Sequence, residues 1–132
     1  MPVKVIDASA LAALVFNEPE QSEVAEQIRG ASLLAPTLID YELASVCLKK
    51  LRRYPRQRDG LLAALALIRR MGIKQARVDP AEVAILADEA GITAYDAAYL
   101  WLSLVHRAPL VTLDQKLGRA AASLTSSRTS PK

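Results

Sequence analysis

Two residue types that build many small active sites are almost missing: the 132-residue chain has one cysteine, Cys47, and one histidine, His106. A single Cys rules out an internal disulfide framework and points to a reducing compartment, and one Cys with one His cannot assemble a Cys/His zinc centre. A lone His also argues against Ser-His-Asp and Cys-His hydrolases. Neither G-x-G-x-x-G nor G-x-x-x-x-G-K-[ST] occurs, which weighs against a nucleotide-binding role. The N-terminal Met1-Pro2-Val3-Lys4-Val5-Ile6-Asp7 lacks the apolar core of a signal peptide. No segment approaches the roughly 18 uninterrupted apolar residues of a membrane span. The expectation is one soluble, cytoplasmic domain, since 52% of the residues are hydrophobic and the length suits a single core.

Charge is present but unevenly spread. Lys and Arg number 17 and Asp and Glu 14, a formal balance of +3. Between Lys49 and Arg77 stand ten basic residues and one acid, Asp59, for a local +9; the remaining seven basic and thirteen acidic residues carry −6. This asymmetry suits a polyanionic partner, with Lys49, Lys50, Arg52 and Arg53 the candidate contacts to it. The plainer alternative is a solvated helical face.

Short apolar runs alternate with helical patterns. Val3–Ile6, Ala31–Ala35, Ile73–Val78 and Pro109–Leu113 read as strands. Ser9 is placed to cap a first helix, Pro19 to open a second, and Thr37-Leu38-Ile39-Asp40 to form a capping box for a third that ends before Tyr54-Pro55. A fourth helix runs to Met71 with Gly72 as its stop. Asp79-Pro80-Ala81-Glu82 and Thr93-Ala94-Tyr95-Asp96 open two more, and a short helix through Ala122 precedes a Ser/Thr-rich tail, residues 123–132, expected to be disordered. The fold class is α/β: a parallel sheet of about four to five strands covered by helices on both faces, in one domain over residues 1–122.

Four acids stand apart from the ordinary exposed ones. Asp7 and Asp114 follow apolar strands, where open α/β sheets place their ligand sites. Glu42 lies between Leu38 and Val46 at i±4 spacing and interrupts an apolar stripe; Asp96 lines up similarly with Ile92 and Leu100. If each helix leaves the same sheet edge, all four carboxylates meet there. Taken singly, Asp7 and Asp114 also read as helix caps, and Asp96 as the acid of a capping box. Asp40 is a helix cap or a minor member of the set. Two carboxylates about 4 Å apart repel by about 4 kcal/mol at an effective dielectric near 20, and no basic residue is close in sequence to Asp7, Glu42 or Asp96. Lys116, beside Asp114, cannot balance four charges. A hard divalent cation, Mg²⁺ or Mn²⁺, answers that repulsion and suits phosphodiester chemistry. Beside a +9 segment, the substrate that fits is nucleic acid.

Val5-Ile6-Asp7-Ala8-Ser9-Ala10-Leu11, Tyr41-Glu42-Leu43-Ala44, Thr93-Ala94-Tyr95-Asp96-Ala97-Ala98-Tyr99-Leu100 and Leu110-Val111-Thr112-Leu113-Asp114 together resemble the four signature blocks of the PIN-domain ribonucleases. Their order and spacing are similar to those of the VapC toxins of type II toxin–antitoxin systems. The resemblance implies a Mg²⁺- or Mn²⁺-dependent endoribonuclease in which Asp7, Glu42, Asp96 and Asp114 bind metal and activate water. It gives Ser9 and Thr112 supporting roles and implies a homodimer inhibited by a cognate antitoxin. Gln115-Lys116-Leu117 departs from members that carry a further acid or Asn one turn after the last Asp, which leaves one or two metals open.

Other readings compete. A phosphate-signalling receiver wants paired acids after its first strand and a Lys after its last; a haloacid-dehalogenase-type phosphatase wants Asp-x-Asp where this chain has Asp7-Ala8-Ser9. A catalytically silent module that binds RNA or protein remains the alternative. His106 reads as a helix C-terminal cation and Cys47 as core. Tyr95, Tyr99 and Trp101 are candidates for base stacking, core packing or a dimer contact.

Overall fold

The computed structural model describes residues 1–129, with side chains through Thr125. Four parallel strands, β1 (Val3–Ile6), β2 (Ser32–Pro36), β3 (Lys74–Ala76) and β4 (Leu110–Val111), form one sheet in the order β3-β2-β1-β4. Consecutive strand residues face opposite sides, and Val5 and Ile6 are both fully buried, so both faces of β1 are covered. Seven helices do the covering: α1 (Ala8–Val15), α2 (Gln21–Ile28), α3 (Leu38–Arg53), α4 (Arg58–Ala66), α5 (Pro80–Ala90), α6 (Ala94–His106) and α7 (Gln115–Thr129). One core gathers Val5, Leu11, Ile39, Leu43, Tyr99 and Leu102 around the sheet; a second packs Val83 and Leu86 of α5, Leu100 of α6 and Leu117 of α7.

The chain builds β1, β2 and β3 outward in one direction and then returns to add β4 on the other side of β1. The reversal of strand order lies between β1 and β4, and the crevice beyond the carboxyl ends of such a pair is where open α/β sheets bind ligands. Ile6 is paired with Val111, and the Asp7 amide donates to the Val111 carbonyl at 3.1 Å. The register therefore delivers Asp7 and the Thr112–Asp114 segment side by side.

Several local expectations are corrected. Asp7, not Ser9, caps α1: its backbone is extended, as a cap requires, and its side chain accepts from the Ala10 amide. Thr37 makes no side-chain cap because its backbone is already helical, and Asp40 instead accepts from Gln75 Nε2 of β3 at 2.8 Å. Pro19 precedes α2, which opens at Gln21 after Glu20. The fourth helix is α-helical only to Ala66 and tightens into a 3₁₀ turn over Leu67–Met71 before left-handed Gly72. The strands β3 and β4 are shorter than the apolar runs that announce them, as befits the two edges of the sheet. The last helix does not stop at Ala122 but continues to Thr129. Its Ser and Thr content lowers helix propensity without forbidding helix, and Ala120, Ala121 and Leu124 pack against the α5–α6 core. Disorder expected of residues 130–132 falls outside the described residues.

The expected starts of α5 and α6 are observed. Asp79 Oδ1 accepts from the Glu82 amide with Pro80 in the first turn, left-handed Gly91 follows the last turn, and Thr93 Oγ1 accepts from the Asp96 amide at 3.1 Å.

Candidate active site

Asp7 follows β1 directly and is only 5% exposed. Its Oδ1 accepts from Ser9 Oγ at 2.7 Å and from the Ala10 amide at 3.0 Å, and its Oδ2 accepts from Thr112 Oγ1 at 2.5 Å. Both hydroxyls are themselves occupied as acceptors: Ser9 Oγ takes the Leu113 amide and Thr112 Oγ1 the Asp114 amide, each at 3.0 Å. With their lone pairs turned to the loop, their hydrogens point at Asp7, an arrangement complementary to an ionised carboxylate. Ser9 and Thr112 thus tie the loop after β4 to the end of β1. The same loop carries Asp114, whose Oδ1 caps α7 through the Leu117 amide at 2.8 Å. For Asp7 and Asp114, the cap and the site position coincide in one residue.

Glu42 enters from the second turn of α3. The buried line of that helix is Ile39, Leu43 and Cys47; Glu42 lies with Leu38 and Val46 on its half-buried margin, which lets one end of the carboxylate reach the crevice. Tyr99 fixes it, donating its hydroxyl to Glu42 Oε1 at 2.5 Å. Asp96 opens α6 one turn before Tyr99, so acid and tyrosine share a helix face.

These carboxylates lie in one another's fields. Burial pushes Asp7 above the usual carboxylate range, with the Asp96 charge adding to it while the hydroxyl and amide donors pull it down. Burial raises Glu42, with Asp7 and Asp96 adding to the effect against the Tyr99 hydrogen bond. Asp96 is raised by burial and then by Asp114, against Thr93 and Lys116. Burial first, then the Glu42 carboxylate, raises the Tyr99 phenol and keeps it a proton donor. The only ion pairs among the described residues, Arg29–Glu26 and Lys50–Glu18, involve none of the four acids.

The four acids form an all-oxygen donor set, with Lys116 offsetting part of the charge at Asp96, and such a set suits Mg²⁺ or Mn²⁺. Three hydrogen bonds occupy Asp7, which leaves acceptor capacity on a carboxylate with about four lone-pair positions. Among the described residues, no group of three or more His, Cys, Asp or Glu converges closely enough to hold an ion as the side chains stand. Hydrogen bonds tether two of the acids, Asp7 to Ser9, Thr112 and the Ala10 amide, and Glu42 to Tyr99. The donor chemistry, all carboxylate oxygen, fits a hard divalent cation.

The basic candidates lie elsewhere. Lys49, Lys50, Arg52 and Arg53 occupy the far half of α3, roughly 10–17 Å along the helix axis from Glu42. Lys50 is engaged structurally, 3.2 Å from Glu18 and over the Phe16 ring; Arg53 lies over Tyr54, and Lys49 and Arg52 are exposed. Cys47 is buried core, His106 ends α6 exposed, and Trp101 packs between the cores while its Nε1 donates to Glu82.

A family model for the PIN domain matches residues 4–123. The chain belongs to the PIN domain family. The crystal structure of PAE2754 from Pyrobaculum aerophilum is similar over 96% of this chain and 94% of that one, with a TM-score of 0.73 and 23% sequence identity, a likeness that shows the fold. No curated protein matches the chain. PIN domains are generally nucleases, and no helix of the described residues is long and apolar enough to cross a membrane.

Tyr99, expected as core or a dimer contact, is core at 1% exposed; what sequence reading missed is the contact of its hydroxyl with Glu42. The spacing of three from Asp96 to Tyr99 was the available signal. Tyr99→Phe leaves Glu42 half-buried without its donor, and stability is expected to fall by about 1–3 kcal/mol in chemical denaturation.

Proposed function

We propose that this chain is a Mg²⁺- or Mn²⁺-dependent endoribonuclease acting as the toxin of a type II toxin–antitoxin pair. The observation that carries the reading is the mutual electrostatic influence that links Asp7, Glu42, Asp96 and Asp114 beside the reversal point of the sheet, with the Ser9 and Thr112 hydroxyls donating to Asp7. In this reading all four acids are metal ligands and catalytic groups. A divalent cation bound there supplies charge neutralisation at the phosphodiester and acidifies the attacking water. The chain's own work is to orient the carboxylates, through the Ser9 and Thr112 hydroxyls at Asp7 and the Tyr99 hydroxyl at Glu42. The exposed side chains Lys49 and Arg52, with Arg53, meet RNA backbone at a distance from the cleavage point, and Lys50, paired with Glu18, adds positive charge beside them. The toxin role, a homodimer in the cytoplasm and a cognate antitoxin covering the site rest on the resemblance of the four signature blocks, in order and spacing, to the VapC toxins.

Incubation of the purified protein with total RNA tests the enzyme directly. Cleavage at internal phosphodiesters is expected with Mg²⁺ or Mn²⁺, none in excess EDTA, and co-expression of the small protein from the neighbouring reading frame should suppress it. Full activity in EDTA would overturn the mechanism; RNA binding without cleavage in Mn²⁺ would make the chain a silent binding module.

A further inference from the structure

Two of the most exposed large side chains stand immediately before site acids: Tyr41, 77% exposed, precedes Glu42, and Tyr95, 65% exposed, precedes Asp96. Exposing a tyrosine this far forfeits the burial that aromatic rings ordinarily supply, so the pair invites a partner. Beside them lies an apolar depression of ≈ 270 Å³ lined by Pro36, Leu38, Val78, Tyr95 and Ala98, among others. Thr37 and Leu38 also line it, and Tyr41 follows them by four and three residues on α3, which puts Tyr41 on their helix face. Tyr95 lines the depression itself and Tyr41 stands exposed on α3 within one turn of its lining residues Thr37 and Leu38, where α3 and α6 begin and where each helix also supplies a carboxylate.

We propose that this depression is a nucleobase subsite, in which Tyr41 and Tyr95 stack on unpaired bases flanking the phosphodiester presented to the acids; the inference rests on the nuclease reading above. Its apolar lining with few polar groups accepts the flat face of a base without reading its edge, and its volume, below the usual range for whole small-molecule ligands, suits one base. Bases within a duplex are stacked on each other and unavailable, so the subsite selects single-stranded RNA or loops. It also places specificity in aromatic contact close to the cleavage point, whereas the basic end of α3 contributes sequence-independent attraction.

The test is equilibrium binding of a fluorescein-labelled single-stranded oligoribonucleotide, a matched oligomer with abasic sites and a duplex of the same sequence, all in EDTA. Tyr41→Ala and Tyr95→Ala should each weaken binding of the single strand by about 5- to 100-fold, the range for loss of one stacking partner. Tyr→Phe at either position should stay within about twofold. The abasic oligomer should bind wild-type protein about as weakly as the intact strand binds the alanine variants, and should lose little more when the tyrosine is removed. Unchanged binding by both alanine variants overturns the proposal, as does an equal loss for duplex, failure of the wild type to bind the single strand, or a change in oligomeric state with RNA affinity intact, which would give the depression to a second copy. The two readings fail separately. Tyrosine-dependent binding without metal-dependent cleavage leaves the subsite and removes the nuclease; cleavage with unaltered binding in the alanine variants does the reverse.

Discussion

Asp7→Asn is expected to abolish RNA cleavage while leaving the fold at least as stable as the wild type in the absence of metal. The two halves of that result have one cause. Asn keeps the shape of the side chain, its carbonyl oxygen can still accept from Ser9 and from the Ala10 amide that caps α1, and its Nδ2 can donate to Thr112 Oγ1 once that hydroxyl turns its hydrogen away. What it removes is a negative charge that burial and the neighbouring Asp96 already disfavour. A metal-binding centre loses a ligand charge at its most buried position, so the loss of turnover should exceed the ten- to hundredfold typical of supporting residues. Thermal melts in EDTA should place Asp7→Asn at or above the wild type. Asp7→Ala differs instructively: it also loses the cap, worth about 0.5–2 kcal/mol, and leaves the Ser9 and Thr112 hydroxyls without their acceptor. Reduced activity in Asp7→Ala alone would be ambiguous between chemistry and stability; loss in Asp7→Asn with a preserved melt is not. Near-normal cleavage by Asp7→Asn would remove Asp7 from the reaction.

The second large effect is a stability that depends on pH in opposite senses with and without metal. Asp7, Glu42 and Asp96 all have their carboxyls raised by burial in the folded chain. Between the ordinary carboxylate value near 4 and those raised values, the folded state binds more protons than the unfolded one, so unfolding free energy falls as pH rises through that window. In EDTA the protein should therefore melt lower at pH 7 than near pH 5. A divalent cation that binds only the folded, ionised site reverses the trend. At about a hundred times its dissociation constant it adds about 2.7 kcal/mol, or roughly 5–20 °C in melting temperature for a chain of this size, and the gain should vanish as the acids protonate. Calorimetric melts at pH 5 and 7, with EDTA or Mn²⁺, read all four conditions. A metal-induced gain that is equal at the two pH values would separate the cation from these carboxylates.

Much of this site was legible because its parts obey local rules. Asp7 and Asp114 stand out as polar ends of short β-branched runs, and the alternation of strands and helices places both at the same sheet edge. Glu42 stands out because a carboxylate at i±4 from Leu38 and Val46 breaks an apolar stripe. Other features depend on contacts that no local pattern records. The Tyr99 hydroxyl meets Glu42 across 57 residues, and the Ser9 hydroxyl meets the Leu113 amide across 104. Ser9 could not be separated from Asp7 as the cap of α1, because both types cap well and the choice turns on where the strand ends. The capping pattern at Thr37 failed for a tertiary reason: Asp40 is drawn to Gln75 on the edge strand, and Thr37 itself is helical. The continuation of α7 beyond Ala122 likewise follows from packing of its apolar side on the α5–α6 core, while its Ser and Thr residues suggest a loop when read alone.

The claim on which the rest depends is that Asp7, Glu42, Asp96 and Asp114 act together as one divalent-cation site, although their side chains do not converge on an ion as they stand. Isothermal titration of Mn²⁺ into metal-free protein at pH 7, beside Asp7→Asn and Asp96→Asn, measures this directly. The account predicts saturable binding at or below millimolar Mn²⁺ in the wild type, weakened at least tenfold by either substitution. Absence of binding at millimolar Mn²⁺, or binding that both substitutions leave unchanged, would contradict it.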